Sequence, residues 1–299
     1  MALQWIFVER RFRRLVANLD LKPEQETDGH AKVRGVAGSL KRAYWPEEDT
    51  TPHHFLVGSW GKLTAIRPPT DVDMMFVLPS EVYNRFNGRT GNVQSQLLQE
   101  VKAALTKTYS QTELRGDGQV VIVRFNSIDI EVVPAFSLQG GGYYICDTND
   151  GGRWKNVDSD VELITYNQQN DALCQNPRKL ARILKRWKKY RDVPIKGFHI
   201  ERLVLECLEQ SSYGKHNEFW FDWLVRDVLA HMISRADGGF YVAGKFQEWI
   251  SFGDAWLPKA RAAYEIALKA CDYERANMNL SAGSEWQKLF GDYVPWEVT

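Results

Sequence analysis

Cysteine is scarce in this chain, charge of one sign is not in excess, and no long apolar run occurs. The four cysteines among 299 residues, Cys146, Cys174, Cys207 and Cys271, lie far apart. No two stand at metal-ligand spacing, which argues against both a disulfide framework and a cysteine metal site. A reducing cytoplasm fits this usage. No segment is long and apolar enough to span a bilayer. Arg10, Arg11, Arg13 and Arg14 are followed by no apolar block, so they do not read as a signal peptide. Lysine plus arginine and aspartate plus glutamate both number 38, so no net charge draws the chain to nucleic acid or a membrane. Internal repeats and low-complexity tracts are also missing.

What is present is a globular composition, 44% hydrophobic and 25% charged. Charge is segregated: residues 178–191 are rich in lysine and arginine, while acid gathers at Asp71, Asp73, Asp129 and Glu131. Apolar residues at helical spacing predict helices from Trp5 to Leu19 and over 24–44. Strands are expected at 55–57 and 72–78, a helix at 93–109, and a hairpin of 119–125 with 127–136. Gly140, Gly141 and Gly142, then Gly151 and Gly152, flank a loop or small hairpin. Beyond Asn176 and Pro177 the pattern turns helical, over 180–190, 200–209, 218–233, 246–250 and 258–273. The expected class is α+β: a mixed lobe over 1–165 that includes the N-terminal helices, a helical lobe over 166–299, and a cleft between them.

The chemistry gathers in three short stretches. Asp71 and Asp73 stand two apart at the start of a strand, so their carboxylates share a face, with Val72 and Met74 on the other. Adjacent carboxylates repel and need a cation, and Mg²⁺ suits oxygen ligands that it shares with substrate phosphates. A third carboxylate from a neighbouring strand would complete a two-metal site for in-line phosphoryl displacement. Asp129 and Glu131 alternate onto one face of such a strand. Gly58 and Ser59, at a turn into a short helix, let backbone amides and a hydroxyl approach a triphosphate, with Lys62 close by. In the basic helix, Leu180, Ile183, Leu184, Trp187 and Tyr190 form the apolar face; Arg182 and Lys185 flank it, where Lys185 can meet phosphates. Phe198 and Tyr190 are candidates to stack on a nucleobase.

Gly-Ser, then Asp-x-Asp, then an acidic residue ahead of Val-Pro-Ala-Phe resembles the DNA polymerase β superfamily. The text VGSWGKLTAIRPPTDVDMMFVLP is similar to the CD-NTases, bacterial relatives of cyclic GMP-AMP synthase and oligoadenylate synthase that make second messengers in CBASS anti-phage systems. The likeness continues through EVVPAF, KLARILKRWKKY, FHIERLVLECL and WQKLFGDYVP, nearly the whole chain. It implies a polymerase β-like nucleotidyltransferase lobe beside a helical lobe. It also implies a template-independent cyclic di- or trinucleotide synthase that releases pyrophosphate. Asp71, Asp73 and Glu131 would bind two Mg²⁺ ions, which Mn²⁺ can replace; Asp129 is the alternative third ligand, because some relatives carry an aspartate slightly earlier. Gly58 and Ser59 would form the triphosphate turn and Lys185 a phosphate contact. Partners would be ATP, GTP or other nucleoside triphosphates, a downstream CBASS effector that senses the product, and regulatory proteins, with no membrane and no DNA template. A linear oligonucleotide synthase, a protein or small-molecule nucleotidylyltransferase and an inactive nucleotide or RNA sensor are the competing readings.

Overall fold

A computed structural model describes residues 5–45 and 51–299. Period-two burial builds its central sheet. In β2 (Asp71–Val77) Val72 and Met74 are buried, while Asp71 and Asp73 lie half-buried on the opposite face. β5 (Asp129–Ser137) repeats the pattern, with Ile130 and Val132 buried and Asp129 and Glu131 opposite them. The two strands run parallel, Asp71 level with Asp129 and Asp73 with Glu131. β1 (His54–Leu56) pairs antiparallel with β2. On the far side of β5 come β4 (Val120–Arg124) and β3 (Glu113–Asp117), both antiparallel, and β4 and β5 form the expected hairpin. β6 (Tyr143–Asp147) takes over from β4 along the second half of β5 and pairs with β7 (Arg153–Val157). The sheet is therefore mixed, with one parallel pair among antiparallel ones.

One face of the sheet is covered by α2 (Pro23–Tyr44), α4 (Ser80–Asn87) and α5 (Val93–Thr106). Leu40, Phe86 and Leu97 pack there on Val72, Met74 and Ile130 in a single core. The other face stays thinly covered around Met75, Ala135 and Ile145. A one-turn helix, α3 (Gly58–Gly61), joins β1 to the loop that leads into β2.

A second core is helical. It is built from α6 (Ser159–Ala172), α7 (Asn176–Tyr190), α8 (Gly197–Gln210), α9 (Phe221–Ser234), α10 (Leu257–Arg275) and α11 (Asn279–Phe290), with a small hairpin of β8 (Gly239–Tyr241) and β9 (Trp249–Ser251). α1 (Val8–Leu19) belongs to this core too: Phe12 and Leu15 join the cluster of Leu184, Trp187 and Trp286. α2 thus packs on the sheet, whereas α1, expected beside it, packs in the helical core. The reason is Arg11, fully buried on α1, whose Nε reaches Glu274 Oε1 at 2.7 Å. Its guanidinium also donates to the carbonyls of Pro295 (2.6 Å) and Asn279 (2.8 Å). The expected division at 165/166 falls inside α6.

Residues 246–250 do not form the expected helix. Five residues cannot offset the cost of helix nucleation, and Trp249–Ser251 pairs with Gly239–Tyr241 instead. Tyr190, placed on the apolar face of its helix by spacing, is 47% exposed at the helix end. α4, α6 and α11 carry weak signals: α4 has eight residues, α6 buries only Tyr166 and Asn170, and α11 buries small residues, Ala282 and Gly283, in its first half.

Candidate active site

Asp71, Asp73 and Glu131 each bring one ligand oxygen to a spot where all three lie within 4.8 Å of one another. The parallel register of β2 and β5 does this by setting Glu131 beside Asp73. Asp129 is level with Asp71, yet among the described residues the group holds only these three. Burial, then the charges of Asp71 and Glu131, push the Asp73 carboxyl up to about 7. Burial, then Asp71 and Asp129, raise Glu131 in the same direction. Crowded, half-buried carboxylates of this kind are satisfied by a cation. An all-oxygen donor set fits a hard divalent ion such as Mg²⁺.

Gly58 opens α3 at φ +56°, and a Cβ there would lie 2.0 Å from Asp73 Oδ2. The turn is therefore pressed directly against the carboxylate, which only glycine permits. The Val57 amide donates to the Asp73 carbonyl at 3.0 Å, tying the turn to β2. The Ser59 carbonyl accepts from the amides of Thr64 (2.8 Å) and Ala65 (3.2 Å), which folds the following loop back over the turn.

Two cavities meet here. One, of about 560 Å³, is lined by Ser59, Asp71, Lys185 and Lys189. The other, of about 390 Å³, lies between the thinly covered sheet face at Met75 and Val133 and the aromatic side chains of Phe240 and Phe246. Gly58, Lys62, Asp73, Phe198 and Glu201 belong to the walls of both.

The basic residues named from sequence are placed unequally. Lys185 projects from α7 into the first cavity, its Nζ 2.7 Å from Thr64 Oγ1 and paired with Glu201. Lys62 is buried, its ammonium enclosed by Glu162 and, at 3.2 Å, by Glu201. Burial opposes the charge on Lys62, but Glu201 and Glu162 outweigh it and raise its pKa. Arg182 turns to Asp20. Phe198 stands between the cavities, edge-on to Phe240 at 6.1 Å.

Sequence reasoning passed over Glu201 and Thr64. Glu201 is 3% exposed; burial would raise its carboxyl, yet Lys62 and Lys185 hold it down to about 2. The available signal was a carboxylate in helical step with Leu205 and Leu208, on a face that is otherwise apolar.

Comparison with known proteins agrees with this architecture. A probable cyclic nucleotide synthase of Bacillus cereus is 23% identical over 272 residues, 80% of this chain and 81% of that one. The crystal structure of the Vibrio cholerae cyclic AMP-GMP synthase DncV, solved with the linear intermediate 5′ pppA(3′,5′)pG, superposes with a TM-score of 0.74 at 14% identity, covering 98% of this chain and 97% of that one. Escherichia coli CdnC, in its complex with a HORMA protein, superposes with a TM-score of 0.68 at 15% identity, covering 96% and 98%. The profile of the Second Messenger Oligonucleotide or Dinucleotide Synthetase domain matches residues 7–170, more than half of the chain and every strand and turn that builds the acidic group, and the chain belongs to that family.

Proposed function

We propose that this protein is a template-independent nucleotidyltransferase that makes a cyclic di- or trinucleotide second messenger from nucleoside triphosphates, in anti-phage defence of the CBASS type. The observation that carries the reading is the meeting of two nucleotide-sized cavities at Asp73. One can hold a triphosphate donor against the Gly58–Ser59 turn, the other a nucleotide whose hydroxyl attacks. The attacking 2′- or 3′-oxygen bonds to the α-phosphorus as the bond to pyrophosphate breaks. The linear intermediate then re-orients, and a second transfer at the same carboxylates closes the ring.

Asp71, Asp73 and Glu131 would hold two divalent ions, Mg²⁺ with Mn²⁺ as a substitute; bound there, such ions activate the attacking hydroxyl and stabilise the departing pyrophosphate. The Ser59 hydroxyl and the amides of the turn orient the triphosphate, Lys185 meets its charge, and Phe198 borders the base. The part of the chain up to about residue 165 supplies carboxylates and turn, and the remainder supplies the basic helix and the far wall. Substrates would be ATP, GTP or other nucleoside triphosphates, and the product would be sensed by a downstream effector. The complex of CdnC with a HORMA protein supports a protein regulator here as well. Among the described residues no helix is long and apolar enough to cross a membrane, and the cytoplasm is where the triphosphates are.

The test is to incubate the purified chain with mixed nucleoside triphosphates and Mg²⁺, treat with phosphatase, and separate the products by chromatography with mass spectrometry. A cyclic product has no terminal phosphate and survives unchanged. A ladder of linear products with removable 5′-triphosphates would replace the cyclase reading with a linear synthase.

A further inference from the structure

We infer that Glu201 is a positioning residue for nucleotide transfer, its carboxylate holding the Lys185 ammonium and the Thr64 hydroxyl against the triphosphate turn. The inference rests on the reading of the site proposed above. Glu201 Oε1 accepts from both Thr64 Oγ1 and Lys185 Nζ, and Oε2 accepts from Lys62 Nζ at 3.2 Å. Lys185 Nζ lies in turn 2.7 Å from Thr64 Oγ1 and 3.3 Å from the Thr64 carbonyl. The Thr64 amide donates to the Ser59 carbonyl at 2.8 Å. A continuous path of hydrogen bonds thus runs from Glu201 on α8, through Thr64, to Ser59 on the triphosphate turn. The path crosses the cleft, because α8 and α7 belong to the helical core while α3 sits on the sheet.

Charge accounting points the same way. Two ammonium groups, Lys62 and Lys185, face one buried carboxylate, Glu201, and the partly exposed Glu162. Replacing a buried ion pair by apolar side chains is often neutral or stabilising, so such a cluster contributes little net stability to the wall of a cleft. Its value lies in geometry. Without Glu201, Lys185 would be free to swing toward the Asp73 carboxylate, whose proton affinity it already lowers. With Glu201, the ammonium stays beside Thr64, on the Ser59 side of the cleft where a triphosphate would lie.

The full chain with Mg²⁺ would be titrated with α,β-methylene analogues of ATP and GTP, as wild type, Glu201→Gln, Lys185→Ala and the double variant. Each single variant should bind about tenfold more weakly, the size of one lost charged hydrogen bond. The two losses should combine to less than their product in the double variant, because Glu201 acts in part through Lys185 and the Thr64 link is all that remains for it to lose. In turnover, Glu201→Gln should raise KM for triphosphate more than it lowers kcat, and Glu201→Asp should recover part of the loss. Additive losses in the double variant, or wild-type affinity in Glu201→Gln, would overturn the inference. Should Glu201→Gln not fold, Thr64→Val removes only the hydroxyl link; weakened binding at an unchanged Tm is expected, and unweakened binding overturns the inference. A wild-type chain that binds neither analogue overturns the reading of this cleft as an ATP or GTP site and the inference with it, whereas additive variants of a binding wild type count against Glu201 alone.

Discussion

Gly58 and Asp73 touch in a way that leaves no room for a side chain between them: a Cβ on residue 58 would fall 2.0 Å from Asp73 Oδ2. The residue also sits at φ +56°, where an L side chain is strained. Gly58→Ala should therefore push the turn off β2 or displace the carboxylate. Misplacing reacting groups by an ångström can cost about 100-fold in rate, and a loss of that order in kcat/KM is expected. Steady-state pyrophosphate release measures it, and activity within twofold of wild type would contradict the close approach.

Asp129 and Glu131 share a strand face, but only Glu131 joins the acidic group. Glu131→Gln should cut kcat by more than the roughly 100-fold that losing an outer partner of a metal ligand can cost. Asp129→Asn should cost less than about tenfold. Parallel single-turnover assays at saturating Mg²⁺ decide between them, and a larger loss at Asp129 would reverse the assignment.

Asp73 also makes the metal-free protein sensitive to pH. Its carboxyl titrates near 7 when folded, above the unfolded value of about 4. The folded state holds this proton more tightly, so the group's contribution to stability is fully present below about pH 4 and is lost as pH rises through 7. At pH 8 the ionised Asp73 weakens the chain when chelator removes divalent ions. Asp73→Asn should then raise Tm by about 2–4 °C, the shift that ~1 kcal/mol produces in a large domain, with a smaller gain at pH 5. Adding Mg²⁺ should raise the wild-type Tm at pH 8 and hardly move that of the variant. Calorimetry with and without EDTA reads both effects, and a lower Tm for Asp73→Asn at pH 8 would contradict the electrostatic account.

Lys185 lines the same cavity as Ser59 and is held by neutral and acidic oxygens. Its contact with a bound triphosphate would exist before and during transfer. Lys185→Ala should raise KM for nucleoside triphosphate about tenfold, as expected for one charged hydrogen bond, and lower kcat by less. Initial-rate kinetics across triphosphate concentration separate the two. A pure kcat effect would place the lysine on the transition state instead.

The carboxylates were legible in the sequence because strand alternation is a local rule: Asp71, Asp73 and Glu131 announce their face within a few residues. The tight turn was legible for a similar reason, since glycine is the residue that tolerates the positive φ such a turn takes. Glu201 was not, because its meaning depends on Lys62 and Thr64, which fold against it from far along the chain. Local pattern also misjudged residues 246–250, where cross-strand pairing with Gly239–Tyr241 outweighed a short helical periodicity. α1 shows the same limit: its apolar stripe was visible, but not which of the two cores would receive it.

The clasp of Arg11 has a consequence in time. The Trp296 carbonyl that Arg11 binds lies 285 residues later in the chain, roughly 15–60 s of synthesis at ordinary elongation rates. During that interval α1 has left the ribosome with its apolar stripe and guanidinium unmatched, while the sheet with its acidic residues can already assemble. The wall that carries Lys185 and Glu201 gains its full support only when the last helices arrive. A nascent chain therefore displays the carboxylates before residues 279–296 have completed the clasp on Arg11 that anchors the opposite wall of the cleft.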